Sequence, residues 1–159
     1  MHVKPKDDHT YRLRLDWQGD PAVGTSSYQV YDRAYRVRMA GKPDLPGSAD
    51  PAFRGNPARH NPEDLLLAAL SACHMLSYLA LCARRGVTVL EYSDEAEAVL
   101  TLTAAGGGSF ASATLRPQVR VAAPDQADLA RELHAAAHEA CFIASSCNFP
   151  VRLEFTVVA

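Results

Sequence analysis

Apolar and polar residues alternate at both ends of the chain and change to helical spacing in the middle. Tyr11, Leu13, Leu15 and Trp17 alternate with Arg12, Arg14 and Asp16, which predicts a half-buried strand. Tyr28 and Val30 suggest a second strand. Tyr35, Val37 and Met39, separated by Arg36 and Arg38, predict a third. A Pro/Gly-rich stretch from Gly41 to His60 predicts a long loop, of a length that is often functional. Asn61 is a good N-cap and Pro62 suits the first helical position, so a helix should open there and run to about Arg85, with Gly86 as its stop. Val87 to Leu90 leads into a strand over Glu95–Thr103, the Gly106–Gly108 run turns the chain, and Phe110–Ala122 returns. Pro117 in that return implies an edge or a bulge. Pro124 opens a second helix whose apolar stripe is Leu129, Leu133, Ala136, Ala137 and Ala140. Val151, Leu153, Phe155 and Val157 alternate as a closing strand.

Three strands, a helix, two strands, a helix and a strand predict an α+β fold rather than an alternating doubly wound sheet. The expected layout is one domain over residues 1–159. It comprises N-terminal strands within 11–39, a loop over 40–60, a central helix over 62–85, a hairpin over 95–122, a second helix over 124–141 and a last strand over 151–158. With 159 residues, 48% hydrophobic and 21% charged, the chain has ordinary globular composition. A formal charge of -2 supplies no pull toward nucleic acid or anionic membrane. The polar start, Met1 to Trp17, predicts no secretory signal. Leu65 to Ala83 lacks charged residues but is interrupted by Ser71, Cys73, His74, Ser77 and Cys82, which favours a buried core helix over a membrane span. The expected compartment is the cytoplasm, where cysteines are more often reduced or redox-active than structural.

The chemistry lies in the cysteines. Cys73 falls mid-helix, too far from the N-terminus for the dipole to activate it, so an activated thiolate there requires a side-chain cation. Cys82, nine positions on, is about half a revolution away and belongs to the core. Cys141 closes the second helix, and Cys147 follows in a loop as an alternate partner. His74 adjoins Cys73 in sequence but is rotated by about 100°. His134 and His138 stand at i,i+4 and read as surface or capping residues. A metal set of Cys73, His74, His138 and Cys141 is a rival use of the same groups. Glu63 lies ten residues before Cys73, about 15 Å along the helix. It suits the positive end of the helix dipole, or it holds an arginine that faces the thiolate. Arg54, on the loop just upstream, is the first candidate, and Arg33 is the second.

Asn61-Pro62-Glu63-Asp64-Leu65, then Ser71-Ala72-Cys73, with a late His138-x-x-Cys141 and a closing strand, resembles the OsmC/Ohr family of osmotically inducible and organic hydroperoxide resistance proteins. The resemblance runs from about Tyr11 to Val158, and Ser71–Leu76 is more similar to the OsmC-like branch. It implies an OsmC-like fold with two long core helices packed on antiparallel sheets, in an intertwined homodimer with active sites at the interface. It also implies Cys73 as peroxidatic cysteine, Cys141 as resolving cysteine and Glu63 as the arginine anchor. The implied activity is a thiol-dependent peroxidase acting on organic hydroperoxides, with no metal or organic cofactor and an external dithiol reductant such as a lipoylated protein. A non-peroxidatic relative that binds a small apolar or thiol-reactive ligand is the alternative. Phe142 stands where this family often has proline after the second cysteine, and His74 where the Ohr group carries an apolar residue.

Overall fold

The computed structural model describes residues 8–159, so the first seven residues of the expected polar lead lie outside the described residues. The chain divides into two compact units, Met1–Asp64 and Leu65–Ala159.

In the first unit, β1 (Arg14–Trp17), β2 (Tyr35–Arg38) and β3 (Leu45–Gly47) form an antiparallel sheet in that order. Leu15 pairs with Val37, and Val37 with Leu45. The strand expected at Tyr28–Val30 is a turn instead, because the Arg33 side chain takes the Tyr28 carbonyl. The expected loop contributes β3, whose Pro46 is tolerated because the strand is at the sheet edge. Residues Pro51–Phe53 form one 3-10 turn capped by the Asp50 carboxylate, which accepts the Ala52 N–H at 2.7 Å.

The helix α1 (Pro62–Arg84) begins where its cap predicts. Asn61 Oδ1 accepts the Asp64 N–H at 2.8 Å, and Asp64 Oδ2 accepts the Asn61 N–H at 3.2 Å, a reciprocal capping box. Gly86 stops the helix at φ +75°, a conformation strained for any residue with a Cβ. Leu70, His74, Tyr78 and Cys82, one turn apart, form the fully buried stripe of α1. Ala68, Ala72, Leu76 and Ala83 are exposed, so α1 is buried along one face and not all round.

In the second unit, the expected hairpin is longer, and each of its strands is broken. β4 (Val89–Asp94) and β5 (Glu97–Leu102) face β7 (Pro117–Val121) and β6 (Gly108–Leu115). Pro117 opens β7 at the break, opposite Asp94. α2 (Ala127–Ala140) starts after a 3-10 turn at Pro124–Gln126. The closing strand is also interrupted, into β8 (Val151–Leu153) and β9 (Thr156–Val158). These add to β6 and β7 in parallel, so the sheets, of order β4-β7-β9 and β5-β6-β8, are antiparallel only in their hairpin pairs. α2 supplies the crossover that a parallel β7–β9 pairing requires. The core joins Tyr78, Val119, Val121, Leu133, Ala137 and Val157.

The buried residues of α2 are Ala127, Ala130, Leu133, His134 and Ala137, whereas Ala136 and Ala140 are exposed. The stripe is therefore rotated from the expected one, because His134 and not a second aliphatic column fills the core. His134 was expected at the surface. Its ring stacks on Tyr78 at 4.0 Å and on Phe155 at 4.2 Å, and this packing draws it inward.

A thiol pair and an aromatic pocket

The second unit brings two of the expected site residues together. Cys73 is half-buried in the middle of α1. Cys141 is the C-cap of α2, where the backbone leaves the helix at φ −75° and ψ 108°. Its N–H donates to the His138 carbonyl at 3.3 Å, and its sulfur accepts the Ala144 N–H at 3.5 Å. The residue is 1% exposed. Burial pushes the Cys141 thiol up to about 11, and the neighbouring Cys73 side chain adds to the rise. Both thiols are free, and Cys73 is near enough to Cys141 to act on its titration.

The other cysteines take different positions. Cys82 lies in the core, and burial raises its thiol while the Tyr78 hydroxyl lowers it in part. This is the setting of an inert core thiol. Cys147 is half-buried after the 3-10 turn at Ala144–Ser146. His74 is fully buried and turned into the core. Among the described residues, no group of three or more His, Cys, Asp or Glu side chains is placed to hold a metal, so the rival set of Cys73, His74, His138 and Cys141 does not assemble.

The first unit holds a pocket of about 380 Å³ walled by Trp17, Tyr31, Tyr35 and Phe53, with Arg33 and Glu63 on its rim. Arg33 is locked in place. Its guanidinium lies 3.6 Å from the Tyr31 ring centroid and 4.6 Å from that of Tyr28, and donates to the carbonyls of Tyr31 and Tyr28. Its Nε is shielded and finds no partner among the described residues. Tyr35 also presents a shielded hydroxyl without a partner. Burial raises its pKa, and the Glu63 and Asp64 carboxylates add to the rise. Arg54, the first candidate from sequence, does not line this pocket. It adopts φ +66° and donates to the Gln29 carbonyl at 3.1 Å. Glu63 makes no ion pair with either arginine among the described residues. The aromatic wall was missed from sequence. In the sequence Trp17 and Tyr35 read only as strand positions, and Tyr28–Val30, a turn whose Tyr28 carbonyl accepts from Arg33, reads as a strand.

A mixed α+β chain whose two helices each carry a thiol, one of them capping its helix, has the OsmC/Ohr fold. The sequence model described as OsmC-like protein matches residues 55–156, and the chain belongs to that family. An OsmC-like protein of unknown function from Vibrio cholerae is 30% identical, with a TM-score of 0.83 over 94% of this chain and 100% of the other. An OsmC-like protein from Mycoplasma pneumoniae is 12% identical, with a TM-score of 0.73 over 96% and 99% of the two chains. An organic hydroperoxide resistance protein from Elizabethkingia anophelis is 17% identical, with a TM-score of 0.65 over 94% and 97%. At these last two identities the likeness is one of fold. No curated protein shows significant sequence similarity to the chain.

Proposed function

We propose that this protein is a two-cysteine peroxidase that reduces organic hydroperoxides to alcohols. The observation that carries the reading is the proximity of a half-buried thiol on α1 to a buried thiol at the end of α2, close enough for one to act on the other's titration. The Cys73 thiolate attacks the distal peroxide oxygen, the O–O bond breaks, and the alcohol leaves with a proton. Cys73 is then a sulfenic acid. The Cys141 sulfur attacks it, the S–S bond forms, and hydroxide leaves with the Cys141 proton as water. An external dithiol, such as a lipoylated protein, returns both thiols by exchange. No metal or organic cofactor enters these steps.

The cation that activates Cys73 is drawn from Arg33 or Arg54, and Arg33 is favoured because it shares a pocket with Glu63. In this reading the working form is a homodimer. The exposed apolar face of α1, with Leu76 at 63% exposure, favours burial against a second copy. The cytoplasm is the expected compartment, since thiols stay reduced there.

Single turnover tests the proposal. Fully reduced protein receives one equivalent of cumene hydroperoxide, and disulfides are mapped by mass spectrometry without reduction. A fast, peroxide-dependent Cys73–Cys141 bond is expected, and unchanged thiols in folded protein refute it. The aromatic pocket favours a second reading, in which a small apolar ligand binds without turnover. That reading requires thermal stabilisation by ligand with no consumption of peroxide.

A further inference from the structure

Two buried histidines join the helices that carry the thiols. His74 follows Cys73 on α1, and His134 stands two turns before Cys141 on α2. Both are 0% exposed, and His74 Nε2 lies 3.1 Å from His134 Nδ1. One turn further along α1, the Tyr78 hydroxyl donates to the Ala130 carbonyl of α2 at 3.1 Å. These are the two side-chain hydrogen bonds between α1 and α2 among the described residues.

The pair is an expensive way to fill space. Two neutral imidazoles hold two N–H groups and share one hydrogen bond. Whichever ring donates, one outer N–H is left over, and His74 Nδ1 and His134 Nε2 are both shielded and without partners. An apolar pair of similar shape avoids that loss. The histidines supply direction instead. A bond between two planar rings, one of them clamped between Tyr78 and Phe155, fixes both the spacing and the register of the helices. The rings are neutral at pH 7. Burial lowers His74 to about 4, with His138 adding to the drop and Asp94 opposing it. Burial lowers His134 to about 3, with His74 adding to the drop. The Asp94 oxygens are already occupied by the Ser71 hydroxyl at 2.5 Å and the Arg116 N–H at 2.6 Å.

We propose that the His74–His134 bond is a clasp that positions Cys141 against Cys73 and so favours their disulfide. Neither histidine touches the reacting sulfurs in this role; both are positioning residues. The inference rests on the two-thiol reading of the site, but not on peroxide as the oxidant.

The test is the equilibrium of the full-length protein with glutathione at pH 7. Two protein thiols and one glutathione disulfide give the Cys73–Cys141 disulfide and two glutathiones, so atoms and electrons balance. His134→Leu should lower that equilibrium constant about tenfold or more, as expected when a paired group is misplaced. The double variant His74→Gln/His134→Asn keeps an amide donor and acceptor at the Nε2 and Nδ1 positions, and should restore it. A role confined to stability lowers the melting temperature of folded His134→Leu but leaves its equilibrium constant unchanged, and that result overturns the proposal. Where His134→Leu does not fold, His74→Phe reads the same constant. Imidazole NMR of the wild-type protein is an independent check. One slowly exchanging ring proton shared by His74 and His134 is expected, and two freely exchanging rings overturn the clasp. Because glutathione disulfide is the oxidant, the equilibrium holds even if cumene hydroperoxide is not consumed, so the two failures are distinguishable.

Discussion

Ser71 and Asp94 are joined by a 2.5 Å hydrogen bond from the Ser71 hydroxyl to Asp94 Oδ2, and the other carboxylate oxygen accepts the Arg116 N–H at 2.6 Å. One side chain thus ties α1 to the point where both strands of the long hairpin break. Asp94→Ala leaves a part-buried hydroxyl and a backbone N–H without their acceptor. A loss of about 2–3 kcal/mol is expected in urea unfolding, as for bonds to a charged group. A loss below about 0.5 kcal/mol would remove Asp94 from the framework.

Acid should destabilise this protein through its core. Free histidine titrates near 6.5, whereas burial lowers folded His74 to about 4 and His134 to about 3. Below pH 6.5 the unfolded chain therefore binds protons that the folded chain refuses. The stabilising contribution is complete above about 6.5 and is lost as pH falls toward 4 and then 3. The slope approaches about 1.4 kcal/mol per pH unit for each ring. Unfolding free energy measured at pH 7, 6 and 5 should fall, and the His74→Gln/His134→Asn variant should flatten the curve. A wild-type curve that is already flat would contradict the depressed values.

The two thiols should separate by role. Cys73→Ser is expected to abolish peroxide consumption. Cys141→Ser should leave a Cys73 sulfenic acid that dimedone traps after one equivalent of peroxide. A Cys73–Cys147 disulfide in that variant would make the loop thiol a competent resolver. Cys82→Ser should retain turnover, since that thiol lies in the core among Tyr78 and Val119.

The arginines can be ranked by the same assay. Arg33→Ala should slow the peroxide reaction about 100-fold or more if it stabilises developing charge, while Arg54→Ala should change it little. The reverse order would return the role to Arg54 and detach the aromatic pocket from the chemistry.

The exposed face of α1 predicts self-association. Leu76→Glu places a charge in the centre of an apolar surface and should shift the protein toward monomer in sedimentation velocity. A wild-type protein that sediments as a monomer at micromolar concentration would refute the dimer.

The start of α1 was legible because its signal is local. Asn61, Pro62 and Asp64 cap the helix with their own atoms, and Gly86 stops it with its own φ. The thiol-bearing segments were legible through the OsmC/Ohr resemblance, which residues 55–156 now support. The turn at Tyr28–Val30 was not, since alternation alone does not reveal that the Arg33 side chain will capture the Tyr28 carbonyl.

Spacing and capping act within a few residues, so the chain alone reveals the caps of α1 and the two helices that bring Cys73 and Cys141, but neither the turn at Tyr28–Val30 nor the edge strand β3 nor the breaks in the later strands. Only folding brings Cys141 near Cys73, joins the last strand in parallel, turns His134 inward and seats Arg33 rather than Arg54 in a pocket with Glu63. These outcomes depend on which distant groups exclude water together. Periodicity records that a residue faces inward, but not what it will face.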